Sequence, residues 1–454
     1  VVDGARRNLK QARNIQFVRG EPAAVLLIEF RDQFLASAID RAEQLVADLQ
    51  KRELGYHHPI LDQESAEQAW EVRRAGLGVA YNRPGDVKPV TVIEDTAVDL
   101  ERLPDFIEEI DQQLDAQYGL RCVHYGHAGA GELHLRPNLN LKSQTDRHKF
   151  RQVAQDVARI VRKYGGSLSG EHGDGRLRSE FLRFMIGDRC YQWIEQIKNS
   201  WDPNHIFNPG KIVDAPGMDQ SLRLSTAIGR QPDTVFRFGS TGGLLGAVEM
   251  CSGLGDCRKS HLTGGTMCPS YMATRDEKDT TRARANLLRH ILTQRSLDDS
   301  PLGSPEVRDV LDLCLSCKGC KSECPSNVDM ARIKAEFMQG FYDVHGTPWK
   351  IRMLAGLSGM LRCGSWAPGI VNFINPQRQA SKWVKRLLGI HPRRSMPQLQ
   401  ATTLRSWFRK RPRIRRDGTK GALFFFCDEF TNYIDVSAGI AAIELLEGLG
   451  YQVT

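Results

Sequence analysis

Apolar and polar positions recur along this chain with two periods, one of strands and one of helices. Residues 23–30 (AAVLLIEF) form a short apolar run that predicts a buried strand. Leu35, Ile39, Ala42, Leu45, Val46 and Leu49 follow at helical spacing. Val90–Ile93 predicts a second strand, and Phe106, Ile107, Ile110 and Leu114 a helix after it. Strands over 121–125 and 132–136 precede a helix carrying Val153, Val157, Ile160 and Val161. This order predicts an α+β layer, an antiparallel sheet with helices on one face. No G-x-G-x-x-G opens a helix, which excludes a nicotinamide-binding Rossmann domain. From Asp214 to about Gln231 the pattern fades into a linker. The following stretch reads as all-helical, with Pro325 at a helix start and Met330, Ile333 and Phe337 continuing it. Ala422–Phe426 then predicts a strand and Ser437–Leu449 a helix, the opening of an α/β unit.

Composition adds limits to this picture. The 454 residues correspond to about three domains at ~150 residues each. We place them at 1–213 and 240–345, with a linker at 214–239, a helical and basic linker region at 346–420, and a further domain starting at 421–454. With 41% hydrophobic and 26% charged residues, the chain can bury sizeable cores. No run approaches the ~18 apolar residues of a membrane span. Val1 stands where an initiator Met would, and no basic-then-apolar signal follows, so a piece of a longer protein is expected. The net charge is +8, and seven of the twelve residues from Arg405 to Arg416 are Arg or Lys, with Trp407, Phe408 and Ile414 between them. Such a run can meet nucleic acid or anionic lipid, but it reads first as a solvated linker or docking strip. No nucleic-acid motif accompanies it, and no nucleic-acid partner is expected.

The cysteines carry the sharpest chemistry. Cys314, Cys317, Cys320 and Cys324, followed by Pro325, read C-x2-C-x2-C-x3-C-P, the spacing of bacterial ferredoxin ligands. Structural zinc also uses C-x2-C pairs, yet it has no use for a third cysteine two residues on. Cys251 and Cys257 repeat the six-residue interval, and Cys268-Pro269 repeats Cys324-Pro325. In such motifs the fourth cysteine ligates the other cluster. Cys314, Cys317, Cys320 and Cys268 then make a complete 4Fe-4S site. Cys251, Cys257 and Cys324 make a second site with Leu254 where a fourth cysteine would stand. Three thiolates suit a 3Fe-4S cluster, or a 4Fe-4S cluster with water or a non-cysteine ligand at its open corner. Eleven cysteines, seven of them in these positions, indicate a reducing compartment. Cys122, Cys190, Cys363 and Cys427 have no motif around them.

Histidines form a second constellation. From His124 to His134 (HYGHAGAGELH) three imidazoles and three glycines fall within eleven residues. The glycines permit a tight reversal, so His127 and His134 can face one point. Alternation with Leu133 and Leu135 puts His134 and Arg136 on one strand face. A later glycine-rich turn, Gly170–Gly175, offers Glu171 beside His172. Two His and one Glu form a common ligand set for zinc or another divalent ion. A single such histidine would read as a polar turn residue; two glycine-bracketed groups read as a site.

G-H-A-G-A-G-E-L-H, S-G-E-H-G and the D-P-N-H-I-F-N-P-G-K stretch at 202–211 resemble the C-terminal domain of FAD-linked oxidases, the family of D-lactate, glycolate and D-2-hydroxyglutarate dehydrogenases. The likeness spans about residues 1–213. Residues 240–345 resemble the helical ferredoxin domain of succinate and glycerol-3-phosphate dehydrogenase iron–sulfur subunits. The combination is most similar to bacterial flavin and iron–sulfur D-2-hydroxyglutarate dehydrogenase-like proteins. Residues 421–454 resemble the start of a cysteine-rich domain of heterodisulfide-reductase-like proteins. The resemblance implies a divalent metal (Zn, Mn or Fe) on His127, His134 and Glu171, with His172 as the base. It also implies Arg73 at a substrate carboxylate and Asn208 bordering the flavin, with the family's N-terminal FAD domain lying outside this sequence. Three positions depart from the family pattern: Ala130 and Glu132 replace the Asp and Asn of an Asp-Gly-Asn often found before the second histidine, and Arg136 replaces an Asn after it.

The implied reaction is oxidation of a D-2-hydroxy acid, D-2-hydroxyglutarate first, by hydride transfer to FAD and onward transfer through iron–sulfur clusters. D-lactate or glycolate oxidation is the close alternative, and a non-catalytic electron-transfer protein the distant one. The implied partners are the acid and an electron acceptor, a quinone or a carrier protein. The implied setting is cytoplasmic, with a homo-oligomer and peripheral contact at the inner membrane face left open.

Overall fold

The computed structural model describes residues 1–224, 231–293, 300–374, 379–411 and 420–454. These fall into two compact units, Val1–Val344 and His345–Thr454.

The first unit opens with short helices α1 (Val2–Arg7) and α2 (Gln11–Asn14), then α3 (Leu35–Lys51) and α4 (Gln63–Tyr81). Asp62 caps α4 by accepting the Ser65 N–H at 2.8 Å. Four antiparallel strands follow: β1 (Lys88–Pro89), β2 (Ile93–Ala97), β3 (Cys122–His127) and β4 (Glu132–Leu139). β4 is the centre of the sheet and pairs with all three others. Helices α5 (Leu103–Gln113) and α6 (Gln144–Lys163) bury their apolar stripes with the Leu133 and Leu135 face, around Phe106, Ile110, Val153 and Val161. Each such side chain contributes about 1.5–3 kcal/mol by leaving water. The opposite face carries His134, with Tyr125 stacked on it. Helices α7 (Gly175–Ile186) and α8 (Asp188–Trp201) complete this half.

Two predictions fail here. Residues 23–30 form no strand, and Leu26 and Ile28 are 75% and 56% exposed. An apolar run supplies side chains to bury but not a neighbouring ladder, and without one its backbone groups stay unpaired. Helix α3 forms as its spacing predicts yet buries none of its residues. It shares with 24–30 and 54–61 the lining of an open cavity of about 670 Å³. The predicted 90–93 strand lies later, at Ile93–Ala97, with Val90 and Val92 buried ahead of it.

The unit continues with α9 (Leu244–Glu249), α10 (Pro269–Thr274), α11 (Thr281–Thr293), α12 (Pro305–Asp312), α13 (Gly319–Glu323) and α14 (Met330–His345) around Leu244, Leu288, Leu311 and Phe337. Pro269 occupies the first position of α10. Pro325 does not start a helix. Cys324 before it is extended and ends α13, Asn327 turns at φ 53°, and α14 begins at Met330.

The second unit is helical over 349–355, 357–364, 368–374, 379–387 and 404–410. Ala422–Leu423 pairs in parallel with Gln452–Val453, and a helix spans Val436–Gly448. The predicted 422–426 strand is thus cut to two residues, because its partner offers only two; Phe424 and Phe426 are 92% and 88% exposed. Of the basic stretch, Arg411 forms a two-pronged pair with Glu447, and 412–416 lie outside the described residues, as does 225–230 of the linker. Among the described residues no helix is long and apolar enough to cross a membrane.

Candidate functional site

The site begins in the β3–β4 hairpin. Gly131 closes its turn at φ +71°, where a side chain would be strained and would overlap the Val98 carbonyl. The register sets Tyr125 opposite His134 and His127 opposite Glu132. His134 is buried with a side chain 4% exposed, while His127 is half exposed. Their rings meet edge-on at 6.2 Å. His124 lies apart, paired with Asp111 at 3.0 Å.

A bulge in β2 supplies the second half. The register shifts between Ile93 and Thr96, and Asp95 takes φ 78°, a conformation Asp tolerates better than most residues. Its buried carboxylate accepts the N–H groups of Glu171 (2.9 Å) and His172 (2.8 Å) and the Ser169 hydroxyl (2.7 Å). Burial alone would raise its pKa, but these donors outweigh it and hold the carboxyl below its ordinary value. The turn so fixed aims Glu171 at the hairpin. Glu171 Oε1 lies 3.5 Å from His127 Nε2, 3.6 Å from His134 Nε2 and 3.3 Å from His172 Nε2. The His134 and His172 rings stack at 5.0 Å, 6° from parallel.

Behind His134 stand two more carboxylates. Glu132 Oε2 accepts the His127 N–H at 2.9 Å, and Oε1 sits 2.8 Å from His134 Nδ1, off the direction of a hydrogen bond. Both of these facing atoms are buried without a hydrogen-bond partner. Glu94 Oε1 is 3.7 Å from the same nitrogen and grips Arg136 at 2.7 and 3.0 Å with its two oxygens. Arg136 is therefore matched within the protein. Burial pushes the His134 pKa down, keeping a neutral ring with a free lone pair. Donor atoms of His127, Glu132, His134 and Glu171 all lie within 4.8 Å of one another. The arrangement fits a divalent ion: two imidazoles and a carboxylate converge on one side, and a carboxylate backs the buried ring on the other. Arg73, on α4, lies over the Tyr125 ring at 3.6 Å and donates to the Gly126 carbonyl at 2.9 Å, which brings it beside this hairpin.

Residues 4–212 match the family described as FAD linked oxidases, C-terminal domain, and residues 250–329 match the 4Fe-4S dicluster domain. The chain joins an FAD-linked oxidase C-terminal domain to a 4Fe-4S dicluster domain. It is similar to the D-2-hydroxyglutarate dehydrogenases of Pantoea ananatis (27% identical) and Escherichia coli (26%), each over 93% of this chain and 45% of the relative. It also resembles a mitochondrial D-lactate dehydrogenase [cytochrome] of Arabidopsis thaliana, 29% identical over 33% of this chain and 26% of that one. The chain thus spans about half the length of these two curated D-2-hydroxyglutarate dehydrogenases.

In the oxidase domain, Asn208 is exposed at φ 48° in a loop pinned by Asp202, whose carboxylate accepts the Ile206 and Phe207 N–H groups. In the dicluster domain, Cys251, Cys257 and Cys324 line one pocket with Leu254. Burial pushes the Cys324 thiol up to about 12. Burial pushes the Cys320 thiol up, and the charges of Cys268 and Cys314 act the same way; Cys317 is exposed. The Cys268 thiol is brought down to about 6, first by a hydrogen bond with Cys257, then by Thr281, whose N–H and hydroxyl lie 3.1 and 2.9 Å from its sulfur. All seven sulfurs belong to a soft donor set suited to iron–sulfur chemistry. Sequence reasoning missed Glu94 and Asp95 and treated Glu132 only as a departure. Two adjacent acids inside the apolar stretch VTVIEDTAV were the available signal.

Proposed function

We propose that this chain is the substrate-binding and electron-relaying part of an FAD-dependent dehydrogenase that oxidises a D-2-hydroxy acid, D-2-hydroxyglutarate first, to the 2-oxo acid. One observation carries the reading: the imidazoles of His127, His134 and His172 converge on one Glu171 carboxylate oxygen at 3.3–3.6 Å. His127, His134 and Glu171 would hold a divalent ion (zinc, manganese or iron), which supplies a lowered hydroxyl pKa to a bound hydroxy acid. His172 takes the hydroxyl proton, and its backbone anchor on Asp95 keeps the ring at the rim. Arg73 binds the substrate carboxylate with guanidinium donors left by its Gly126 bond. FAD, when bound, accepts the C2 hydride, and Asn208 borders it. Cys314, Cys317, Cys320 and Cys268 hold a 4Fe-4S cluster. Cys251, Cys257 and Cys324 hold a second cluster, of three irons or of four with an open corner. The electrons end on a quinone or a carrier protein.

A second reading has a specific support. Arg136, a cation on the His134 face of the sheet that could take a second substrate carboxylate, is matched by Glu94, which favours a monocarboxylic acid such as D-lactate or glycolate. A panel of hydroxy acids, assayed with a dye acceptor on the FAD-loaded full-length protein, decides between them. Preference for D-2-hydroxyglutarate by about tenfold or more in kcat/KM supports the first reading. Preference for D-lactate supports the second, and no oxidation of any 2-hydroxy acid by metal-loaded protein overturns both.

A further inference from the structure

The three-cysteine pocket lies against the oxidase domain. Asn8, fully buried, donates from Nδ2 to the Cys324 carbonyl at 3.2 Å and to Asn327 Oδ1 at 2.9 Å. Its Oδ1 accepts the Lys10 and Gln11 N–H groups at 3.1 Å, so the side chain is locked from both ends. On the other side α4 comes so close that a Cβ on Gly78 would lie 2.5 Å from Pro325 Cβ and 3.5 Å from Leu254 Cδ2. Ser326 adds a hydroxyl bond to the Gly78 carbonyl at 3.4 Å. Five residues earlier on the same helix, about 7.5 Å along its axis, Arg73 lies on Tyr125, which stacks on His134. One rigid helix therefore joins the candidate active site to the three-cysteine pocket.

The other cysteine set is held within its own domain. Lys334 binds the Cys314 carbonyl at 2.7 Å, Thr281 binds the Cys268 sulfur, and Gly319 packs on Thr266. Thr281, whose N–H and hydroxyl lie on the Cys268 sulfur, also lines the Cys251/Cys257/Cys324 pocket, which makes the two pockets neighbours. Cys317 is exposed beside Leu315, itself 70% exposed.

We propose an order of electron flow that rests on the dehydrogenase reading above: the Cys251/Cys257/Cys324 cluster receives electrons from the flavin first, and the Cys314/Cys317/Cys320/Cys268 cluster delivers them at the surface around Cys317. The steps balance. Oxidation of the hydroxy acid to the oxo acid releases two electrons and two protons to FAD and the base. The reduced flavin then gives up its electrons one at a time, each passing through the first cluster to the second and on to a one-electron acceptor.

The test uses the FAD-loaded full-length protein, mixed with D-2-hydroxyglutarate or, should the acid panel select it, D-lactate, and followed by flavin absorbance and freeze-quench EPR. In Cys251→Ser the second cluster should stay oxidised after substrate has bleached the flavin, although dithionite still reduces it. In Cys317→Ser the first cluster should still be reduced by substrate. Gly78→Leu, which keeps every ligand, should slow reduction of the first cluster about tenfold and leave dithionite reduction unchanged. Wild-type reduction of the second cluster in a folded Cys251→Ser protein overturns the order, as does an unaltered first-cluster rate in Gly78→Leu. Failure of the flavin to bleach in wild-type protein overturns the dehydrogenase reading instead, so the two failures are distinguishable.

Discussion

The Asp95 carboxylate accepts the backbone N–H of His172 at 2.8 Å across 77 residues of sequence. That bond, with its companions to Glu171 and Ser169, converts a glycine-rich turn into a fixed platform for two of the four converging groups. Asp95→Ala should free the turn. Metal affinity and kcat are both expected to fall about 10–100-fold, the range seen for lost supports of metal ligands, while the Asp95→Asn variant recovers little because it brings no charge. Metal titration of the purified variants measures this.

Asp95 also sets a pH dependence. Its folded pKa is below the unfolded value of about 3.9. Its contribution to stability is therefore complete above that unfolded value and is lost as pH falls through the folded one. Urea midpoints should drop as pH falls below about 4 in wild-type protein, and drop less in Asp95→Asn. Equal drops would show that other carboxylates govern acid unfolding.

Glu132 faces the buried Nδ1 of His134 at 2.8 Å, behind the ring whose Nε2 faces Glu171. Glu132→Gln keeps the shape and removes the negative charge. A loss of metal affinity of about tenfold is expected, with far-UV circular dichroism unchanged.

His134→Ala removes the buried ring and leaves Glu132 and Glu94 facing a hole. We expect metal content and turnover to vanish together and stability to fall by roughly 1–3 kcal/mol, because Glu132 Oε1 is left buried with no polar group facing it. Retention of both metal and turnover would remove His134 from the site.

Leu254 occupies the wall of the three-cysteine pocket. Leu254→Cys adds the missing thiolate and should convert an incomplete cluster to a fourth-cysteine-ligated one. Iron content per chain and the EPR of the oxidised protein report the change; identical spectra would mean the pocket holds no cluster with an open corner.

Local pattern was enough for much of this molecule. The stripe of Val153, Val157, Ile160 and Val161 specifies α6, and the alternation around His134 specifies β4, because helix and strand periods are properties of a few neighbouring residues. The cysteine spacing likewise announces its chemistry without a fold. What local pattern could not supply was partnership. AAVLLIEF is strand-like in composition but finds no ladder, and the α3 stripe finds no core. The bulge that turns Asp95 toward His172, the Glu94–Arg136 pair, and the seating of Asn8 against Cys324 across 316 residues all depend on which distant segments meet. Such meetings are decided by packing and by the need of buried polar groups for partners, which arise only once the chain has closed on itself.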